Sequence, residues 1–144
     1  ISVYGKGNAV LIKSGFIWFD KRSPESTLKL MQHLNPVKGS NAIRPKEKLL
    51  SGQTLLCRSL NLKVPEWNQK PFDRDNFYIE DVGNKVTKII QTTRLGIPPG
   101  RDEHLMYRFI DYDFAKYCTS NPLSKRNWIE GKDYLIHHHV PAAC

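Results

Sequence analysis

Proline decides where this chain can hold regular structure. Its nine prolines are Pro24, Pro36, Pro45, Pro65, Pro71, Pro98, Pro99, Pro122 and Pro141. Each lacks a backbone donor, fixes its own φ and biases the preceding residue away from helix, so each opens or closes an element. Ser23-Pro24-Glu25 reads as a helix start, with serine able to cap free amides, proline tolerated in the first turn and glutamate favoured at the positive end of the dipole. Leu28, Met31 and Leu34, with Leu30 beside them, supply a buried stripe before Asn35-Pro36 ends the helix; His33 beside the stripe reads as structural. From Pro36 to Lys48 a polar, lysine-rich stretch with Gly39 and Pro45 reads as a mobile basic loop.

The segments between these breakpoints predict mixed structure. Asn8 to Lys13 and Phe16 to Phe19, separated by Ser14-Gly15, read as a hairpin, and Gln53 to Leu60 reads as a strand. After the proline-rich passage through Pro65 and Pro71, Phe77-Tyr78-Ile79 and Val86 to Ile90 flank Gly83-Asn84, which accepts the positive φ of a tight turn. Beyond Pro98-Pro99-Gly100, the apolar residues Leu105, Met106, Phe109, Ile110, Phe114 and Tyr117 recur at spacings near three and four, which predicts the longest helix over Arg101 to Cys118. Its tyrosines, Tyr107, Tyr112 and Tyr117, are better explained by core packing than by contacts to bases. Trp128-Ile129 and Tyr134-Leu135-Ile136 form a last hairpin about Glu130-Gly131-Lys132-Asp133. The expected fold class is therefore α+β: a single small domain over 1–144 with several antiparallel hairpins and two main helices.

A chain of 144 residues is long enough for one core without staples, and none of its apolar runs approaches the roughly 20 residues that cross a bilayer. A soluble protein is expected. The N-terminus has neither methionine nor the apolar block of a signal peptide, which suggests a processed or excised chain whose cellular address is unreadable. Cys57, Cys118 and Cys144 are few, odd in number and widely spaced, so a disulfide framework is not expected; the first two read as small buried apolar residues, and Cys144 lies near enough to the histidines to add a thiolate.

The net charge of +8 favours anionic partners. The excess is concentrated early: up to residue 50, Lys6, Lys13, Lys21, Arg22, Lys29, Lys38, Arg44, Lys46 and Lys48 face only Asp20, Glu25 and Glu47, whereas acids and bases balance from Arg101 onward. Lys38, Arg44, Lys46 and Lys48 are the candidate nucleic-acid contacts; a merely solvated face is the alternative.

The conspicuous chemical feature is His137-His138-His139. In an extended backbone His137 and His139 share one face and His138 takes the other, an arrangement suited to holding a metal ion with the middle imidazole left to move a proton. There is no P-loop, nucleophile elbow or C-x-x-C pair, and Gly5-Lys6-Gly7-Asn8 is only the beginning of a glycine-rich loop, with Val10 where a third glycine belongs.

The H-H-x-x-P sequence of His137-His138-His139-Val140-Pro141, at the end of a hairpin, resembles the opening of HNH or ββα-metal nuclease toxin domains over residues 127–144. That resemblance implies that His137 helps hold a divalent ion such as zinc, nickel or magnesium and that His138 is the general base on the water attacking a phosphodiester, with His139, on the same face as His137, the second candidate ligand. Such nucleases continue into an asparagine and a further histidine; here either a following tail or Asp102, Glu103 and His104 would complete the site. Residues 8–60 resemble, more loosely, a LysM peptidoglycan-binding module.

Three functions follow. One is a cationic bacterial toxin or effector acting as a metal-dependent nuclease; another is a non-catalytic module binding nucleic acid or cell-wall polymer; the third is a docking surface for a partner or inhibitor protein. The nuclease is the expectation taken forward.

Overall fold

A computed structural model describes residues 1 and 9–138. The α+β class is observed: three helices and a three-stranded antiparallel sheet. The chain divides into two compact units, residues 1–70 with 117–119, and residues 71–116 with 120–144.

The first unit is helical. α1 spans Ser26–Leu34, α2 spans Gln53–Ser59 and α3 is the single turn Val64–Trp67. α1 begins later than the capping reading implies, because the Ser23 hydroxyl accepts from the Asp20 amide and forms a turn before the helix instead of capping it. Its one buried residue, Met31, joins Leu49 and Leu50 in a small core against which Ile17, Leu28 and Leu56 pack. Gln53 to Leu60, expected as a strand, is helical. Gln, Leu and Arg are good helix formers, and the turn brings Leu56 and Ser59 to the same buried side, a spacing of three that no strand provides. Cys57 and Cys118 are both only half-buried.

Asn35 holds this unit together. Fully buried at the end of α1, its Nδ2 lies 3.2 Å from the Leu49 carbonyl, 3.1 Å from the Leu55 carbonyl and 3.0 Å from Ser59 Oγ, and that hydroxyl donates to the Leu49 carbonyl at 2.8 Å. One amide thus satisfies buried backbone oxygens from two other segments, groups that are costly to leave unpaired.

The second unit is built on β1 (Lys88–Thr92), β2 (Arg108–Asp111) and β3 (Tyr134–His138), in the order β2-β1-β3. Ile90 sits at the centre, paired with Ile110 on one side and Ile136 on the other. One face carries Ile90, Thr92, Arg108 and Ile110, all buried; the opposite face carries Ile89, Gln91, Phe109, Leu135 and His137.

Two expected hairpins are corrected here. Gly83 does adopt positive φ, and its amide donates to Asp81, yet among the described residues β1 pairs with β2 and β3 and not with residues 77–79; Phe77 bridges to Asp73. The turn about Glu130–Asp133 is present, closed by Ile129 and Asp133, but β3 then pairs with β1 instead of with Trp128-Ile129. Local turn chemistry is legible in the sequence, and the non-local partner is not. The helix expected over 101–118 is likewise absent. Asp102 has a φ of 58°, residues 108–111 form β2 with burial alternating at period two, and Ala115–Tyr117 is a 3-10 turn. Aromatic and β-branched residues favour the pleated state once β1 offers a ladder. The hairpin expected over residues 8–19 falls partly outside the described residues; among those described it forms no named strand.

Candidate functional site

Three places hold the side chains on which a function could rest. In the first, the basic loop, Lys38, Lys46 and Lys48 are exposed. Arg44 is half-buried: its Nε donates to the Asn35 carbonyl at 3.0 Å and its Nη2 to the Pro36 carbonyl at 2.8 Å. The Gln32 amide in turn donates to the Arg44 carbonyl at 2.9 Å. Arg44 therefore neutralises the negative end of α1 and fixes where the loop leaves the helix. The lysines flank it on the short 3-10 turn Lys46–Lys48 and at the loop's start.

The second place is the histidine strand. His137 and His138 are exposed on opposite sides of β3, as alternation requires; His139 lies outside the described residues. His137 Nε2 is 2.7 Å from Gln91 Oε1, and Gln91 Nε2 donates to the Met106 carbonyl at 2.8 Å. With the amide turned this way, Nε2 of His137 carries a proton and is not free to ligate. His138 stands directly across from Lys88, whose ammonium lies 3.7 Å over the Tyr112 ring. A cation in register is a poor neighbour for a metal ion. Among the described residues no group of three or more histidine, cysteine, aspartate or glutamate side chains could hold one.

The third place is the loop between β1 and β2, whose Asp102, Glu103 and His104 the sequence offers as ligands but whose Arg94 sequence reasoning missed. Arg94 Nη2 donates to the carbonyls of Arg101 at 3.3 Å and Asp102 at 3.0 Å, and its guanidinium lies 5.9 Å from the centre of the Tyr107 ring. Glu103 Oε2 accepts from the amides of Gly100 at 3.0 Å and Arg101 at 3.2 Å. Its own amide together with those two holds the Glu103 carboxyl below its ordinary pKa. Asp102, Glu103 and His104 thus belong to a self-braced loop, and Glu103 spends its charge on backbone amides. Pro98-Pro99-Gly100 is the available signal for such a loop; the helical spacing that follows conceals it.

Comparison with known proteins overturns both resemblances. Residues 2–114 match the family model of methylpurine-DNA glycosylase. The chain is 58% identical over 135 residues to a protein of Pseudomonas savastanoi pv. phaseolicola named "Putative 3-methyladenine DNA glycosylase", covering 94% of this chain and 60% of that protein. A protein of the same name from Pseudomonas aeruginosa strain UCBPP-PA14 is 50% identical over 143 residues, covering 97% of this chain and 58% of that protein. The chain thus spans about 60% of the length of the curated relatives it matches. No solved structure matches it.

The nuclease, toxin and effector readings are replaced by this assignment, and so is the LysM reading, since one family match runs through residues 8–60 where the expected final strand is α2. The divalent ion goes with them, because the family calls for none, and the ligand roles given to His137 and His139 lapse. The phosphodiester step that gave His138 its part as base lapses as well. This chain belongs to the methylpurine-DNA glycosylase family.

Proposed function

We propose that this chain forms part of a DNA-repair enzyme that releases alkylated purines, 3-methyladenine among them, from deoxyribose. The observation that carries the reading is the family match over residues 2–114. The chemistry is hydrolysis of a carbon–nitrogen bond. Alkylation of a purine ring nitrogen places positive charge on the base. As water adds at C1′, the carbon–nitrogen bond therefore breaks with its electron pair going to the base, which departs as a neutral molecule, and the proton of the water is released to solvent. Such an enzyme must draw the damaged nucleotide out of the stack, which costs a few kcal/mol and is repaid by contacts to the phosphate backbone and the extruded base.

Of the residues described here, Lys38, Lys46 and Lys48 are the proposed phosphate contacts, exposed on a loop whose exit from α1 is set by Arg44. The excess of positive charge supplies the sequence-independent part of the affinity.

Two measurements test the reading. Affinity for duplex DNA should fall steeply with salt, and replacing Lys38, Lys46 and Lys48 by glutamine should weaken it and flatten the log–log salt slope by roughly one for each phosphate no longer neutralised. Release of 3-methyladenine from methylated duplex DNA should proceed unchanged in excess EDTA. Duplex affinity that does not depend on salt, or base release abolished by chelation, would refute the proposal. Among the described residues no helix is long and apolar enough to cross a membrane.

A further inference from the structure

The amides of Gly100 and Arg101 are aimed at a single oxygen. Glu103 Oε2 accepts from the first at 3.0 Å and from the second at 3.2 Å. Gly100 has a φ of 81° and Asp102 one of 58°, and left-handed residues alternating with ordinary ones turn successive N–H groups toward one side, the geometry by which a backbone concavity holds an oxyanion. The concavity is braced from behind. Arg94 Nη2 bonds the carbonyls of Arg101 at 3.3 Å and Asp102 at 3.0 Å, and the Leu105 amide donates to the same Asp102 carbonyl at 3.1 Å. Tying these carbonyls back leaves the amides directed away from them.

The charge around the loop is a separate observation. Among the described residues no carboxylate pairs with Arg94, and its Nε is buried with no hydrogen-bond partner. Arg101 and His104 stand exposed at the rim, with Asp102 and Glu103 as the acids beside them. A carboxylate that merely finished a turn would account for the two amide bonds. It would not account for a guanidinium set behind the loop with its charge unanswered. Both features fit a site made for an anion, in which an internal carboxylate stands where an external oxyanion would go.

We propose that Gly100, Arg101 and Glu103 form a phosphate-binding nest that the Glu103 carboxylate keeps filled until a phosphate carried by a bound polyanion displaces it. A carboxylate tethered so close to the amides competes at an effective concentration on the order of millimolar or above, so a free phosphate at lower concentration loses to it. A phosphodiester of a duplex already held by the chain competes on equal terms and meets the field of Arg94 and Arg101 as well. The plug thus makes the nest answer to nucleic acid and not to free phosphate. The nest stands on the bonds of this loop alone, and only the identity of the polyanion rests on the DNA-repair reading.

The test follows the amide resonances of Gly100 and Arg101 in the whole 144-residue chain as inorganic phosphate or, separately, a short DNA duplex is added. Glu103→Ala removes the plug, and Glu103→Gln keeps its shape without its charge. Phosphate should leave both resonances of the parent in place, bind there about tenfold or more tightly in the alanine variant, and gain by a smaller factor in the glutamine variant. Arg94→Met added to Glu103→Ala should weaken that binding several-fold. In the parent the duplex should move both resonances and shift the Glu103 carboxyl carbon to the position of an unbonded glutamate. The glutamine variant retains an acceptor for both amides, so the comparison survives if the loop of the alanine variant loosens. Phosphate that binds at Gly100 and Arg101 in neither variant, or as readily in the parent, would overturn the proposal. So would a duplex that shifts the resonances around Lys38, Lys46 and Lys48 and leaves those of Gly100 and Arg101 untouched, a result that spares the DNA-repair reading. Absence of any duplex binding would instead sink that reading, with the phosphate arm deciding the nest.

Discussion

The two compact units are organised around opposite kinds of centre. In the helical unit the hub is Asn35, a polar side chain whose amide bonds to Leu49, Leu55 and Ser59 are directional. In the sheet unit it is Ile90, wholly apolar and fully buried between Ile110 and Ile136 on neighbouring strands. A hydrogen-bonded hub specifies one geometry and tolerates no change of chemistry. An apolar centre inside a backbone ladder tolerates changes of chemistry that conserve volume, because the register is kept by the strands themselves.

The largest expected effect tests the apolar side. Ile90→Ala should cost about 2–5 kcal/mol in urea unfolding, while Ile90→Val should cost only about 0.5–1.5 kcal/mol, because the second change removes a single methylene. For the polar hub, shape offers no such protection. Asn35→Asp keeps the outline of the side chain, loses the donors and should cost about 1–3 kcal/mol or more. If Asn35→Asp proves as mild as Ile90→Val, the contrast between the two centres is broken. Arg44→Ala comes next at about 1 kcal/mol, a smaller loss because its guanidinium is only half-buried and water replaces part of what it gives α1.

The smallest effect is a pH dependence. Glu103 is exposed and its carboxyl is held below the ordinary range by amides that bond its ionised form. The order it lends to the loop is complete above that range and is lost as the pH falls through the lowered value. The amide resonances of Gly100 and Arg101 should shift together on the acid side, and Glu103→Gln should remove that titration without altering the sheet. A titration that persists in the glutamine variant would place its origin elsewhere.

The same contrast explains what the sequence discloses. α1 and the turns at Gly83 and at Glu130–Asp133 are legible because each depends on neighbours within a few residues, whereas β3 is legible as a strand but its partner β1 is not. The helical reading of Tyr107-Arg108-Phe109-Ile110 fails because the spacing of its large apolar residues fits a helix as well as a strand, and only the pairing with β1 decides between them. Gln53–Ser59 fails in the other direction, its leucines suggesting a strand although Ser59, a polar residue, completes the buried side. The basic loop is visible from charge alone, but the guanidinium of Arg44 is turned inward on α1. The histidines draw attention because metal chemistry leaves short, dense patterns. The family signature is diffuse by contrast, spread over residues 2–114 with no short, dense pattern to mark it.

The bonds that join Gln32 to Arg44, and Arg44 back to Asn35 and Pro36, close the intervening segment at its neck. Whatever happens at the tip, around Gly39 to Ala42, is mechanically insulated from the helix. Extra residues grafted there, or a new pair of chain ends opened there, should be absorbed at small entropic expense, roughly 0.6 kcal/mol for each doubling of the segment. That makes this tip the natural place to attach a fluorophore or a tether.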